Sequence, residues 1–274
     1  MSDQTTDRTT GAAATPPLSC YIRTKNEAGR IGEVVRAALA CADEVVVVDS
    51  GSTDDTVALA EAAGARVVSV PWRGNGGQKR AGEELCRNDW LLDLDADEIV
   101  SDELAAEIRA LFAAGPPARP VYELTLVTVP PTGEVWSTFV LAHRRKLYDR
   151  RVVRMPDHPA WDQLELGRGA AVGRLGGPVY HHSFRDFEHV VAKLNRISTV
   201  RARETRPRSR AELAARVLFA LPFYFLKHLV QRQLWRAGVY GVALAGISAF
   251  GRWLRDVKMY EALRMADPPG PRRR

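Results

Sequence analysis

Between Glu44 and Asp49 the chain reads Glu-Val-Val-Val-Val-Asp. Four valines in succession leave no polar face on an extended strand, so this strand is predicted to be buried on both sides. A doubly buried strand belongs in the middle of a parallel sheet with helices above and below. The flanking sequence supplies both. Leu18–Ile22 is a short apolar run, followed by polar Arg23 to Glu27 and a helical stretch from Ile31 to Ala40. After Asp49, Ser50-Gly51-Ser52-Thr53 supplies a turn and an N-cap, with Asp54 and Asp55 in the first helical turn and Gly64 as the stop. Arg66–Val70 is predicted as a third strand, Gly77 to Arg87 as a helix and Trp90–Leu94 as a fourth strand. Ser101-Asp102-Glu103 opens a further helix that ends near Gly115.

Strands separated by helices of this length form parallel βαβ units with right-handed crossovers, and ligands bind at the carboxyl ends of such strands. The polar residues gather at those ends: Arg23–Glu27, Asp49, Arg73–Lys79 and Asp95–Glu98. Four loops are thus expected to converge on one rim.

Beyond Pro120 the pattern changes. Val121–Val129 alternates as a strand, Trp136 to Tyr148 contains another, and Gly167–Gly177 is turn-rich. From Asp186 the chain reads as mostly helical. The predicted domains are a flexible tail over 1–17 and a catalytic domain over 18–185, divided into halves at 18–115 and 116–185. A basic, apolar helical extension follows over 186–265, with a loose tail over 266–274. The start lacks the basic-then-apolar layout of a secretory signal, which predicts a cytoplasmic protein. Cys20, Cys41 and Cys86 fit no zinc spacing and are expected to be buried thiols.

Charge divides along the same line. Residues 1–120 carry 12 Lys/Arg against 20 Asp/Glu, and residues 121–274 carry 27 against 13. An acidic half suits a cation site and a basic half suits anionic partners. Between Lys193 and Arg236 stand 11 Lys/Arg and two acidic residues. No nucleic-acid-binding motif accompanies them, so no nucleic-acid partner is expected. The runs Leu218–Val230 and Val239–Phe250, with Trp235 and Trp253 near them, are each shorter than the roughly 20 residues that span a bilayer. Basic charge beside apolar residues and interfacial aromatics points instead to attachment on an anionic membrane surface, at the inner face of the plasma membrane.

The rim residues suggest particular chemistry. Asp95 and Asp97 flank one alanine past a buried strand, and alternation would turn both to one side to bracket a hard cation, Mg²⁺ or Mn²⁺. A solvated acidic turn is the competing reading. Asp49 can accept hydrogen bonds from a base imide or a ribose hydroxyl, or can belong to a capping turn. Lys79 follows Gly74-Asn75-Gly76-Gly77, a loop entering a helix whose amides, with the cation, could form an anion site. Asn26 and Glu27 sit at the end of the first strand. Neither a Walker loop nor Gly-x-Gly-x-x-Gly after the first strand is present, which argues against a dinucleotide-binding dehydrogenase.

Taken together, Thr24-Lys25-Asn26-Glu27, Glu44 to Thr56, Gln78-Lys79 and Asp93-Leu94-Asp95-Ala96-Asp97-Glu98 resemble the family 2 glycosyltransferases of GT-A fold. The likeness is nearest to the lipopolysaccharide-core branch that acts on inner-core heptose. It is dense over about residues 18–112 and resumes at Arg174 to Arg185 and Lys193 to Arg196. It implies an α/β GT-A fold with a mostly parallel central sheet and a C-terminal helical extension. It also implies inverting transfer from a nucleotide-sugar donor, UDP-linked or similar, to a glycan or glycolipid acceptor, assisted by a divalent cation. By likeness Thr24, Asn26, Glu27, Asp49, Gln78, Lys79 and Asp95 hold the nucleotide-sugar, with Asp49 meeting the base. Asp95, Asp97 and His181 would serve as metal ligands. Relatives often carry a His-Glu pair where this chain has Trp161-Asp162, which makes Asp162 the candidate general base and Glu165 the reserve. The alternatives are a nucleotide-sugar-binding protein without transfer activity and a metal-dependent nucleotidyltransferase.

Overall fold

The computed structural model describes residues 16–133, 135, 140–167, 169–183, 185–206 and 208–266. The expected tails lie almost wholly outside these residues, as does the first part of the strand region expected from Trp136.

Two compact units partition the chain. One spans 1–127 and 140–181, the other 128–139 and 182–274. The first is built on β1 (Leu18–Thr24), α1 (Ile31–Leu39), β2 (Glu44–Asp49), α2 (Thr56–Ala62), β3 (Arg66–Ser69), α3 (Asn75–Leu85) and β4 (Trp90–Asp95). It continues with β5 (Glu98–Val100), α4 (Asp102–Ala113), β6 (Val121–Thr128), β7 (Val140–Asp149) and β8 (Val172–His181). The eight strands form one sheet in the order β3-β2-β1-β4-β7-β6-β8-β5. The pairs β1–β2, β2–β3 and β1–β4 are parallel, whereas β4–β7, β6–β7 and β5–β8 are antiparallel. The sheet is therefore mixed, parallel where βαβ crossovers build it and antiparallel beyond β4.

Each residue of β2 is buried, as the valine run requires. Alternate side chains serve two cores. Cys20, Ile22, Val45, Val47, Leu92 and Leu94 face α1, α2 and α4, while Tyr21, Val46, Val48 and Leu91 pack with Cys86 on the opposite face. α4 starts on a Ser101 cap whose Oγ accepts from Leu104 N at 3.1 Å. The three cysteines are free thiols, Cys20 and Cys86 buried.

Three expectations change. β1 extends two residues past Ile22, so Arg23 and Thr24 lie on the strand, with Arg23 in register with Asp95 across the parallel pair. Helix α2 starts at Thr56, placing Asp54 and Asp55 before the helix. Gly167–Gly177 is no turn cluster at its end, because β8 begins at Val172. Its glycines mark close packing. A Cβ on Gly173 would lie 2.4 Å from the Tyr122 ring, and one on Gly177 would lie 2.5 Å from Leu104 backbone.

The second unit is helical: α5 (Phe187–Glu204), α6 (Arg210–Gln231), a 3₁₀ turn (Leu234–Ala237) and α7 (Gly238–Ala266). The apolar run Leu218–Val230 sits inside the 22-residue α6, which carries Pro222 in its interior. By length and composition α6 could cross a membrane, contrary to the expectation from the shorter run. One side of it is nevertheless committed to protein. Tyr224 is buried, accepts from Arg216 at 3.0 Å and donates to Asp256 of α7 at 2.7 Å. The other side exposes Leu218, Phe219 (74% exposed), Phe223, Leu226 and Val230.

Candidate active site at the carboxyl ends of the parallel strands

The centre of the rim is Arg23, at the end of β1. Its Nε donates to Asp95 Oδ1 at 2.5 Å, and its Nη2 donates to Asp95 Oδ2 at 3.3 Å and to Asp162 Oδ2 at 3.0 Å. Nη1 reaches the Asn75 carbonyl at 3.2 Å. One planar guanidinium thus links the end of β4, the start of α3 and the segment carrying Asp162. Burial opposes the charge on Arg23, but Asp95, Asp162 and Asp93 outweigh it and raise its pKa. Burial likewise opposes the charge on Asp95, yet Lys79 and then Arg23 hold its carboxyl well below the usual carboxylate range.

Beneath this pair runs a buried line of alternating charge. Lys79, 1% exposed, lies within α3 with Nζ 2.7 Å from Asp93 Oδ2, 3.8 Å from Asp95 Oδ1 and 4.0 Å from Asp162 Oδ2. Lys146 of β7 places Nζ 2.7 Å from Glu98 Oε2 and 3.7 Å from Asp93 Oδ2. Glu98 Oε2 also accepts from Asp95 N at 2.8 Å. Buried charges of this kind persist only when paired. Burial disfavours the Lys146 ammonium, but Asp93 and Glu98 raise its pKa overall, whereas burial raises Glu98 despite Lys146.

The expected anion site at the start of α3 is not what the amides form. Asn75 N donates to the Pro159 carbonyl at 2.9 Å, while Gly76 N and Gly77 N donate to the His158 carbonyl at 2.9 and 3.3 Å. The loop 156–161 lies so close that a Cβ on Gly76 would sit 2.2 Å from the Trp161 oxygen. These glycines let one backbone lie on another, and Lys79 faces inward to a carboxylate. Gln78, fully buried, braces the preceding loop by donating to the Val70 carbonyl at 3.1 Å and accepting from Arg73 N at 3.3 Å.

A second loop pair lies after β1 and β2. Asp49 Oδ2 accepts from Gly51 N and Ser52 N, both at 2.9 Å, and its Oδ1 accepts from Ser52 Oγ. The carboxylate therefore orders its own turn, the alternative weighed from the sequence. Asn26, in the left-handed region at φ 54°, accepts from Thr53 N at 2.8 Å, and Glu27 N donates to Thr56 Oγ1 at 2.8 Å. Thr24 is buried beside Asp49 in register, its carbonyl accepting from Ser50 N.

Asp97 lies in the turn after β4 and, among the described residues, shares no hydrogen-bond or ion-pair partner with Asp95. Its Oδ2 is 3.3 Å from Nε2 of His181, the last residue of β8. Burial disfavours the charged ring of His181, but its bond to Asp97 raises its pKa overall. No group of three or more His, Cys, Asp or Glu side chains converges among the described residues. A cation completed by substrate phosphates needs only one or two protein carboxylates. Asp97 and His181 supply an oxygen and a nitrogen of the kind Mn²⁺ takes. Glu165 is exposed. His182 and Arg185 fall in the second unit.

Sequence reasoning placed Arg23 in a loop and passed over Lys146 altogether. The available signal was a charged residue inside an apolar strand, which folds only against an opposite charge.

Comparison with known proteins gives these residues a context. Residues 19–160 match Glycosyl transferase family 2. An uncharacterized glycosyltransferase of Rickettsia felis is 33% identical over 255 residues, covering 90% of each chain. The lipopolysaccharide core biosynthesis glycosyltransferase LpsC of Rhizobium meliloti is 29% identical, covering 89% of this chain and 92% of its own. Among solved structures, glucosyl-3-phosphoglycerate synthase from Mycobacterium tuberculosis, in complex with Mn²⁺, UDP and glucosyl-3-phosphoglycerate, is similar. It shows 19% identity and a TM-score of 0.42, covering 69% of this chain and 80% of that one. The family match and the full-length relatives show that this chain belongs to glycosyl transferase family 2, is a glycosyltransferase, and has the GT-A fold.

Proposed function

We propose that the chain is an inverting glycosyltransferase that moves a sugar from a UDP-linked donor to a lipopolysaccharide-core acceptor. The single observation that carries the site assignment is Arg23 holding Asp95 and Asp162 at once, at the carboxyl ends of the parallel strands. The acceptor class follows LpsC, to which the chain is similar over nearly its whole length.

In this reading Thr24, Asn26, Glu27 and Asp49 frame the base and ribose through the two loops that Asn26 and Asp49 lock together. Gln78 and Lys79 fix the floor of the cleft, Lys79 acting through Asp93 and Asp95. Asp95, Asp97 and His181 would hold Mg²⁺ or Mn²⁺. When bound, the cation supplies positive charge that offsets the charge developing on the departing diphosphate. Asp162 takes the proton of the acceptor hydroxyl as its oxygen bonds to the anomeric carbon. The bond from that carbon to the diphosphate oxygen breaks, and UDP leaves. Arg23 keeps the base and Asp95 in fixed relation, which is the positioning that such displacements require.

The second unit works on the inner face of the plasma membrane in this reading. One face of α6 is bonded to α7 and the other exposes Phe219, Phe223, Leu226 and Val230, the pattern of a helix lying in the interface.

The test is UDP release from UDP-sugars with delipidated lipopolysaccharide core and Mn²⁺. Release that requires both acceptor and cation, and is lost on chelation and in Asp97→Ala and Asp162→Asn, is the expected result. Full activity in Asp162→Asn would remove it as the base. Pyrophosphate as product would overturn sugar transfer.

A further inference from the structure

The helical unit contains a solvent-open cavity of about 210 Å³ lined by residues of α5, α6 and α7. Its wall carries Arg201 from α5, His228 and Arg232 from the end of α6, and Arg252 and Arg255 from α7, with Ser248 beside them. Arg255 pairs with Asp256 at 2.6 Å. Arg201, Arg232 and Arg252 have no carboxylate partner among the described residues, and Asp256 is fully buried against Tyr224 and Arg255. Arg252 stacks its guanidinium 4.7 Å from the centre of the Tyr224 ring, which orients the fork. Its Nε and the His228 Nδ1 are buried polar atoms with no hydrogen-bond partner among the described residues.

Three guanidinium groups from three helices thus line one cavity without a carboxylate partner among the described residues, and buried polar atoms without partners are costly. Neither feature helps the fold, and both are relieved by the same occupant. Planar N–H forks around a small cavity match the oxygens of a phosphoryl group, which accept in pairs.

We propose that this cavity is a phosphate-binding site, separate from the donor cleft, that takes a phosphomonoester or diphosphate group through Arg201, Arg232 and Arg252. Burial, and after it Arg232, Arg252 and Lys227, lower His228 to about 4, consistent with a wall already crowded with positive charge. The phosphoryl group can be free in solution or the headgroup of a lipid, and the experiment separates these.

The full chain is titrated in the presence of EDTA with sodium pyrophosphate, and in parallel with phosphatidylcholine vesicles with and without phosphatidic acid. The variant is Arg201→Gln/Arg232→Gln, chosen because both side chains are exposed and have no carboxylate partner among the described residues. Arg203→Gln, exposed on α5 away from the cavity, is the control. The expected result is saturable binding in at least one arm, weakened about tenfold or more in the double variant and unchanged in the control. UDP binding with Mn²⁺ stays at the wild-type level in all three. Binding to pyrophosphate assigns a soluble source, and binding to phosphatidic acid vesicles alone assigns a lipid headgroup. Absence of binding in both arms overturns the proposal. So does binding that the double variant leaves intact, which would trace vesicle attachment to the exposed face of α6.

Discussion

Arg23 and Asp95 are neighbours in register on adjacent parallel strands, and their side chains meet at 2.5 Å at the rim of the sheet. Because the same guanidinium also holds Asp162, removing it frees two carboxylates at once. Arg23→Met is expected to lower kcat/KM for UDP release by about 10²-fold, the usual effect of misplacing reacting groups by an ångström. Arg23→Lys should recover only part, because an ammonium cannot span two carboxylates with fixed geometry. Equal rates for Arg23→Lys and wild type would show that the bridge has no positioning role.

Lys146 is 3% exposed and lies between Glu98 and Asp93. Lys146→Met leaves an uncompensated buried charge and is expected to cost about 3–5 kcal/mol. Lys146→Met/Glu98→Gln should regain a substantial part. Urea midpoints of the wild type and both variants decide this, and additive losses in the double variant would refute the pairing.

Glu44 gives the acid dependence. Burial opposes its charge, but the Ser19 hydroxyl at 2.6 Å, the Arg87 amide at 2.9 Å and Arg66 together lower its pKa below 4.5. A depressed carboxylate stabilises the fold above its unfolded pKa, and this contribution is lost as pH falls through the folded value. The stability difference between wild type and Glu44→Gln should therefore be full above about pH 4.5 and shrink progressively below it. Denaturant melts across that range would show a pH-independent difference if the carboxylate were not responsible.

Gly76→Ala tests the contact between α3 and the loop 156–161. The added Cβ meets the Trp161 and Pro156 oxygens at 2.2 and 2.5 Å, so one backbone must withdraw. The expected cost is about 1–3 kcal/mol, with reduced kcat because Asp162 follows directly on this loop. Gly29→Ala, with nothing within 4 Å of its Cβ, is the matched control. Should both variants match wild type in kcat and stability, the close approach has no consequence.

The elements most legible in the sequence were those whose burial is total or whose ends are chemically marked. β2 matched its valine run residue for residue, and α4 began on the predicted Ser101. β5 escaped notice because three residues, Glu98–Val100, carry no period, and its pairing with β8 is fixed only by tertiary contact. The glycines of β8 read as turns because the Tyr122 ring and Leu104 backbone that exclude a side chain there are distant in sequence. Asp95 and Lys79 stood out as polar residues at strand and loop ends. Arg23, which pairs with Asp95, and Lys146, which pairs with Glu98, sat within strand sequence, where only the fold shows which charges meet.

The tie between α3 and the loop before Asp162 is made of main-chain amides and carbonyls at Asn75, Gly76, His158 and Pro159. Such an anchorage reads no side chain on the loop. Trp161 is exposed and can diverge between descendants without loosening the carboxylate that follows it, whereas His158, whose Nδ1 accepts from Ala160 N and Trp161 N at 3.1 and 2.8 Å, shapes the loop itself. Innovation in what the loop touches is thereby uncoupled from retention of where Asp162 stands, while Gly76 on the helix side has almost no freedom to drift.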